Sequence, residues 1–402
     1  DIIDGIELET LVEKRTANMM QEKLAKKIEK STRKEFPEGM ETSGTDALRF
    51  TLSALASTGR DISWDMKRLE GYRNFCNKVW NASRYVLMNT EEYLPLRDAE
   101  GSAGVNGSEL EYSLADRWIQ GQMQNTVKTV REHLDNYRFD LAANTLYDFT
   151  WNEFCGWYLE LTKPVLTSGS DAQQAATRKT LVETLELLLR LMHPVMPFIT
   201  ETIWQRVKPL TLSSKISEQT VLDHSSIMLN AYPVYNAELV DDNAVADVEW
   251  LKQFILVIRN IRGEMDLSPN KPINVIVRNL SEQDTARLDA NKTFLMALAK
   301  LESINVLAQG EKAPASASGL VGEMDVLIPM AGLIDKEAEL SRLSKAMDKA
   351  EQELKRVSGK LSNEKFVSNA PEQVIAKEKA KMAEYETQLT KLKDQYAEIE
   401  AI

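Results

Sequence analysis

The run Asn74-Phe75-Cys76-Asn77-Lys78-Val79-Trp80-Asn81-Ala82-Ser83-Arg84-Tyr85 puts three asparagines, a lysine and an arginine in company with three aromatic rings. An asparagine amide offers both a donor and an acceptor to a base edge, an arginine forks onto phosphate or stacks, and a ring receives an unstacked base. That combination suits single-stranded RNA. At about 100° per residue, Tyr72, Phe75, Cys76, Val79, Trp80, Val86 and Leu87 share one arc of a helix, which is expected to be core. The opposite arc carries Arg73, Asn74, Asn77, Lys78, Asn81, Arg84 and Tyr85, with Met88 among them. From Lys67 to Asn89 there are five basic residues against Glu70 alone, whereas an ordinary solvated face pairs Glu with Lys. A polar helix face packed on a neighbouring domain fits the same residues.

Other chemistry is poorly supported. His133, His193 and His224 stand at no ligand spacing to one another or to a cysteine, so a zinc cage is not expected. His193, before the kinking Pro194, suits a buried or capping role. Cys76 and Cys155 lie far apart without a CxxC pattern, which predicts reduced thiols and a cytoplasmic setting. Glu91-Glu92 and Asp241-Asp242 are expected in polar loops, without a basic or nucleophilic partner at helical spacing, and read as solvated charge.

The elements that must position the polar face follow from periodicity. The chain has 402 residues, 43% hydrophobic and 27% charged, with a net charge of -12 that disfavours indiscriminate binding to nucleic acid. Its length allows two to four domains, since one core stops growing at about 250 to 300 residues. No apolar run reaches the roughly 20 residues of a membrane span. The opening "DIIDGIELET" has neither a basic nor an apolar leader region, and the chain reads as a piece cut from something longer.

Thr45 or Asp46 is expected to cap a short helix, and one long helix is expected from Asp65 to about Asn89. The acidic, Gly- and Ser-bearing stretch from Glu91 to Leu114 reads as an exposed loop. Three helical stretches follow, from about Ser113, with Leu141, Leu146, Phe149, Phe154, Tyr158 and Leu161 as expected core, and with Pro194 and Pro197 interrupting the last. Together they predict a helical bundle.

After Trp250 the pattern changes. "INVIVRN", "SINVLAQ" and "MDVLIPM" have strand character around a polar helix, a small α/β unit. Beyond it, Leu340, Leu343, Met347, Ala350, Leu354, Val357 and Leu361 alternate steps of three and four, as do Met382, Tyr385, Leu389, Leu392, Tyr396 and Ile399. Pro371 between them suits a first helical turn, so an antiparallel two-helix coiled coil is the economical reading, with a parallel dimer as its rival. The predicted fold is mainly α.

"RLEGYRNFCNKVWNASRYVL" resembles the first anticodon-domain helix of bacterial valyl-tRNA synthetases, and "TDALRFTLSALASTGRDISWD" resembles the segment joining that domain to the class I catalytic domain. "YDFTWNEFCGWYLELTKP", "HPVMPFITETIWQ", "VRNIRGEMDLSPNKP", "VLIPMAGLID" and "FVSNAPEQVIAKEK" are similar to the same family, although "HPVMPFITETIW" alone also suits the isoleucine and leucine enzymes. The resemblance implies a connecting segment over 1–64, a helical-bundle anticodon-binding domain over 65–250, a small α/β domain over 251–332 and a coiled-coil tRNA-binding arm over 333–402. It implies tRNA(Val) as partner, with no membrane and no DNA, in a cytoplasmic monomer. The HIGH and KMSKS elements are not in the sequence, so ATP and Mg are expected to act in the whole ligase and this chain to need no cofactor and to be inactive alone. It implies RNA contacts at Arg73, Asn77, Lys78, Asn81, Arg84 and Tyr85, and toward the arm's tip at Lys360, Lys365 and Phe366. The alternative is a helical scaffold that oligomerises through its coiled coil.

Overall fold

The computed structural model describes residues 1–17, 19, 22–57, 61, 64–91, 110–211, 225–308, 310–330, 336–362 and 372–400. The chain divides into two compact units, Asp1–Glu249 and Trp250–Ile402.

In the first unit, α1 (Leu8–Thr16) packs on α2 (Glu22–Glu35), and an isolated bridge joins Ile6 to Met40. The bundle comprises α3 (Thr45–Leu55), α4 (Met66–Thr90), α5 (Leu114–Asp135), α6 (Phe139–Asp148), a π-helical stretch (Phe149–Tyr158), α7 (Leu159–Ser168), α8 (Asp171–Met192) and α9 (Pro197–Thr211). Their inward faces bury Phe50, Phe75, Trp118, Phe154, Leu161 and Trp204.

Local chemistry sets the helix starts. Asp65 accepts from the Lys67 N–H to begin α4, and Ser113 with Asp116, and Ser170 with Gln173, form capping boxes that satisfy otherwise orphaned donors. Neither Thr45 nor Asp46 caps α3. Gly44 stands at that position with φ +82°, and the Asp46 carboxylate instead accepts from the Phe198 and Ile199 N–H groups, capping α9 just after Pro197. Asp241 is likewise more than solvated charge: it accepts from the Ala244 N–H and from Arg117.

The expected 3.6-residue period fails over Phe149–Tyr158, where the helix widens to π geometry. Gly156 fits this wider turn, because a Cβ there would lie 3.2 Å from the Trp151 carbonyl oxygen. Leu141, expected in the core, is only half-buried, while Leu146, Phe149, Phe154, Tyr158 and Leu161 are buried.

Two buried polar networks tie the bundle together. Asp116 accepts from Ser113, Thr177 and Tyr158, and its burial raises its pKa despite those donors. Glu186 accepts from Arg190 Nη2 at 2.9 Å and from Trp204 Nε1 at 3.1 Å, while Arg190 Nη1 donates to the Ala231 carbonyl.

α10 (Asp242–Glu264) runs across the boundary between the units. In the second unit β1 (Ile273–Arg278) pairs in parallel with β2 (Leu301–Val306) through the crossover helix α11 (Glu282–Leu298). Strands β3 (Ser316–Val321) and β4 (Met324–Pro329) complete the sheet in the order β2-β1-β4-β3, with β4 antiparallel to both neighbours. β3 is not among the strand-like stretches expected from the sequence, because its "SASGLV" has little strand character. Gly319 is there because a Cβ would fall 2.4 Å from Val257 Cγ1 of α10.

α12 (Lys336–Leu361) and α13 (Glu372–Glu400) form a hairpin. Lys360 pairs with Glu378 and Lys393 with Glu351, so α13 runs back along α12. Ala350 and Val357 are buried, and at the open end Met330 packs with Met265, Leu340, Leu392 and Tyr396. Pro371 and Ile399's side chain lie outside what the structure describes.

Candidate nucleic-acid interface

α4 buries Leu69, Phe75, Val79, Ala82, Ser83, Val86 and Thr90 against the bundle. The opposite side exposes Asn74, Asn77, Trp80, Asn81, Arg84 and Met88, which recur at steps of three and four and so form one stripe. Trp80 was expected in the core and is not: it is 44% exposed. The spacing carried the signal, since Trp80 follows Asn77 by three residues and precedes Arg84 by four.

The expected contact residues divide by what already holds them. Arg73 is committed within the chain, donating to the Glu41 carboxylate and to the Thr42 carbonyl. The Lys78 ammonium sits 5.3 Å from the Trp151 ring centroid, and Trp151 stacks on Tyr147 at 5.6 Å with the planes 10° apart. Tyr85 is half-buried on the opposite flank of the stripe from Trp80, its hydroxyl 2.9 Å from Thr162 Oγ1. Burial raises the Tyr85 pKa, so the phenol stays neutral and its ring is fixed against α7. The side chains of Asn77, Asn81 and Arg84 make no hydrogen bond or ion pair among the described residues. Their donors and acceptors face water and are available to a ligand.

Burial pushes the Cys76 thiol up to about 12 and the Cys155 thiol to about 11, which keeps both protonated. His193 Nδ1 lies 2.8 Å from Thr200 Oγ1, and burial lowers its pKa.

On the hairpin, Lys360 is partly exposed and its ammonium lies 3.4 Å from Glu378, which Lys381 also reaches at 3.1 Å. Lys365 and Phe366 lie outside the described residues.

Two family profiles match. The anticodon-binding domain of tRNA ligase covers residues 116–277, and the valyl tRNA synthetase tRNA binding arm covers 335–400; together they take in more than half of the chain. The first begins at Asp116, beyond the end of α4. Among solved structures the chain is similar to the LeuRS of Agrobacterium radiobacter in its ternary complex with tRNA and LeuAMS, at 16% identity and a TM-score of 0.32. That alignment covers 66% of this chain and 28% of the LeuRS, too loose a likeness to argue from. The two profile matches together support the C-terminal portion of a valyl-tRNA synthetase: an anticodon-binding domain of the kind found in tRNA ligases, followed by the arm that points to the valyl enzymes.

Proposed function

We propose that this chain is the part of a valine-tRNA ligase that grips tRNA(Val). The stripe on α4 takes unpaired bases of the anticodon loop, and the α12–α13 hairpin, acting as an antiparallel coiled-coil arm, touches the outer part of the same tRNA. Lysines and arginines supply affinity through phosphates; Asn77, Asn81 and Arg84 supply specificity at base edges, and Tyr85 a stacking surface. Arg73, Lys78, Lys360, Lys365 and Phe366 belong to the same proposed interface, the first two at the edges of the stripe. Each part keeps its own role: 1–64 connects, 65–250 binds the anticodon, 251–332 is a small α/β domain and 333–402 the arm.

Joining valine to tRNA with ATP and Mg is the work of the whole ligase in this reading. Among the described residues no group of three His, Cys, Asp or Glu could hold a metal ion. No described helix is long and apolar enough to cross a membrane. The chain acts in the cytoplasm as a monomer.

The observation that carries the reading is the exposed α4 stripe, which has no acidic side chain from Arg73 to Thr90 and whose Arg84 has no partner among the described residues. A tRNA shift assay run beside gel filtration tests it. A monomer that binds tRNA(Val) more tightly than other tRNAs supports the reading; an RNA-indifferent dimer supports an oligomerising scaffold instead.

A further inference from the structure

The exposed ring on α4 is the feature that this function does not yet use. Trp80 stands one turn from both Asn77 and Arg84 and beside Asn81, with 44% of its surface open. Single exposed aromatics are common and carry no message by themselves. Tyr137 and Phe139, 76% and 45% exposed, illustrate this: the Arg138 between them is held by both oxygens of Asp140, at 2.9 and 2.7 Å, and has no charge to spare for a ligand. Around Trp80 the situation is reversed, since Arg84 is unpaired among the described residues and the stripe has no carboxylate. A ring, an unopposed guanidinium and free amides within one helical turn complement a polyanion with apolar faces, which is single-stranded RNA and not a protein helix.

We propose that Trp80 is a second base-stacking residue, taking an unpaired base other than the one that rests on Tyr85. This deepens the anticodon-loop reading and rests on it. Trp80 and Tyr85 are separated by five residues, about 7.5 Å along the axis and about 140° around it. They flank the stripe and cannot close on one base from two sides. Asn77, Asn81 and Arg84 lie between them, where they reach the base edges and the phosphate linking two splayed nucleotides.

The test uses the full chain and an anticodon stem-loop RNA, intact and with each loop nucleotide made abasic in turn. Trp80→Ala should weaken binding to the intact loop about tenfold, within the span of base stacking, while Trp80→Phe keeps most of the affinity. One abasic position should abolish the effect of Trp80→Ala, and a different one that of Tyr85→Ala. Trp80→Ala should leave the salt dependence unchanged, whereas Arg84→Ala should lower the slope by about one phosphate's worth. If Arg84→Ala weakens binding and Trp80→Ala does not, Trp80 is no stacking residue although the stripe still binds RNA. If a single abasic position silences both ring variants, the separate-base arrangement is wrong. If neither Arg84→Ala nor Trp80→Ala has any effect, the anticodon assignment of α4 falls as a whole.

Discussion

The α4 stripe and the α12–α13 hairpin are both helical and polar and are both proposed to meet RNA, yet they carry different charge: the stripe has no carboxylate, and the hairpin interleaves lysine with glutamate. Within the stripe Arg84 and the amides of Asn77 and Asn81 are left without partners among the described residues, while the bundle beneath it satisfies its own buried charges, as Glu186 does with Arg190 and Trp204. On the hairpin the charges are mixed: Lys360, Lys381 and Lys393 are paired with Glu378 and Glu351, with the lysine ends exposed, while Lys345, Lys349, Lys355 and Lys379 have no ion pair among the described residues. Unspent hydrogen-bonding groups on a rigid, well-packed helix can discriminate bases. The charges paired across the hairpin, Lys360 with Glu378 and Lys393 with Glu351, help fix its geometry and are less free to attract RNA.

The sharpest break in this contrast is inside the bundle. Glu186→Ala leaves Arg190 buried without its carboxylate, and removing one partner of a buried pair costs roughly 3 to 5 kcal/mol. Chemical denaturation of the full chain should show that loss, and Glu186→Gln, which can still accept from Trp204, should lose less. A loss under about 1 kcal/mol, the scale of an exposed pair, would mean that the bundle and the hairpin treat their ion pairs alike.

The next effect concerns the stripe. Tyr85→Ala should weaken binding to an anticodon stem-loop by roughly 1 to 3 kcal/mol, the range for loss of a stacked base. Unchanged stem-loop affinity, measured by fluorescence anisotropy, would remove Tyr85 from the interface.

Much of this architecture was legible beforehand, and the failures have physical causes. The helices were readable because apolar residues recur along them, and α4 began at Asp65 as its capping chemistry predicts. The capping role of Asp46 was not readable, because its partners at Phe198 and Ile199 are some 150 residues away in sequence. The π turn was missed because widening a helix by one residue per turn leaves the composition of "FTWNEFCGWY" unchanged. Strand β3 escaped because small residues were needed against Val257, and smallness reads as loop. On α4, the 100° helical spacing placed Asn77, Asn81 and Arg84 on the outward face, where they are exposed, while Trp80, placed by the same spacing at the edge of the inward arc, is exposed too. Whether Arg73 and Lys360 had charge to spare depended on Glu41 and Glu378, which sequence spacing alone could not bring to them.

A smaller effect should follow from removing residues 335–402. The rest of the chain should stay folded, and binding to whole tRNA should fall about tenfold, because two contacts on one rigid ligand reinforce each other through effective concentration. An isolated anticodon stem-loop, which cannot use the second contact, should bind almost as before. Equal weakening for both RNAs, or conversion of a dimer to a monomer with RNA affinity intact, would make the hairpin an assembly element.

The smallest effect tests the hairpin's own charge pairing through pH. The Lys381 ammonium, hydrogen-bonded to Glu378, and the nearby Lys360 hold the Glu378 carboxyl below its ordinary value of 4.5. A carboxylate whose pKa is depressed on folding binds fewer protons in the folded state than in the unfolded one. Its contribution is therefore present above the unfolded value and is lost as pH falls through the folded value. The melting temperature should decline as the solution is taken from pH 6 to below 4.5, and Glu378→Gln should flatten that part of the curve while changing little at pH 7, because the lysine ends of its pairs are exposed to water. The same profile recorded in high salt should lie closer to that of the variant, because pairs of this exposure are screened. A variant whose profile overlays the wild type at every pH would show that Glu378 contributes nothing to the fold. Lys360 would then be as unencumbered as Arg84, and the contrast between stripe and hairpin would narrow to the residues on α4.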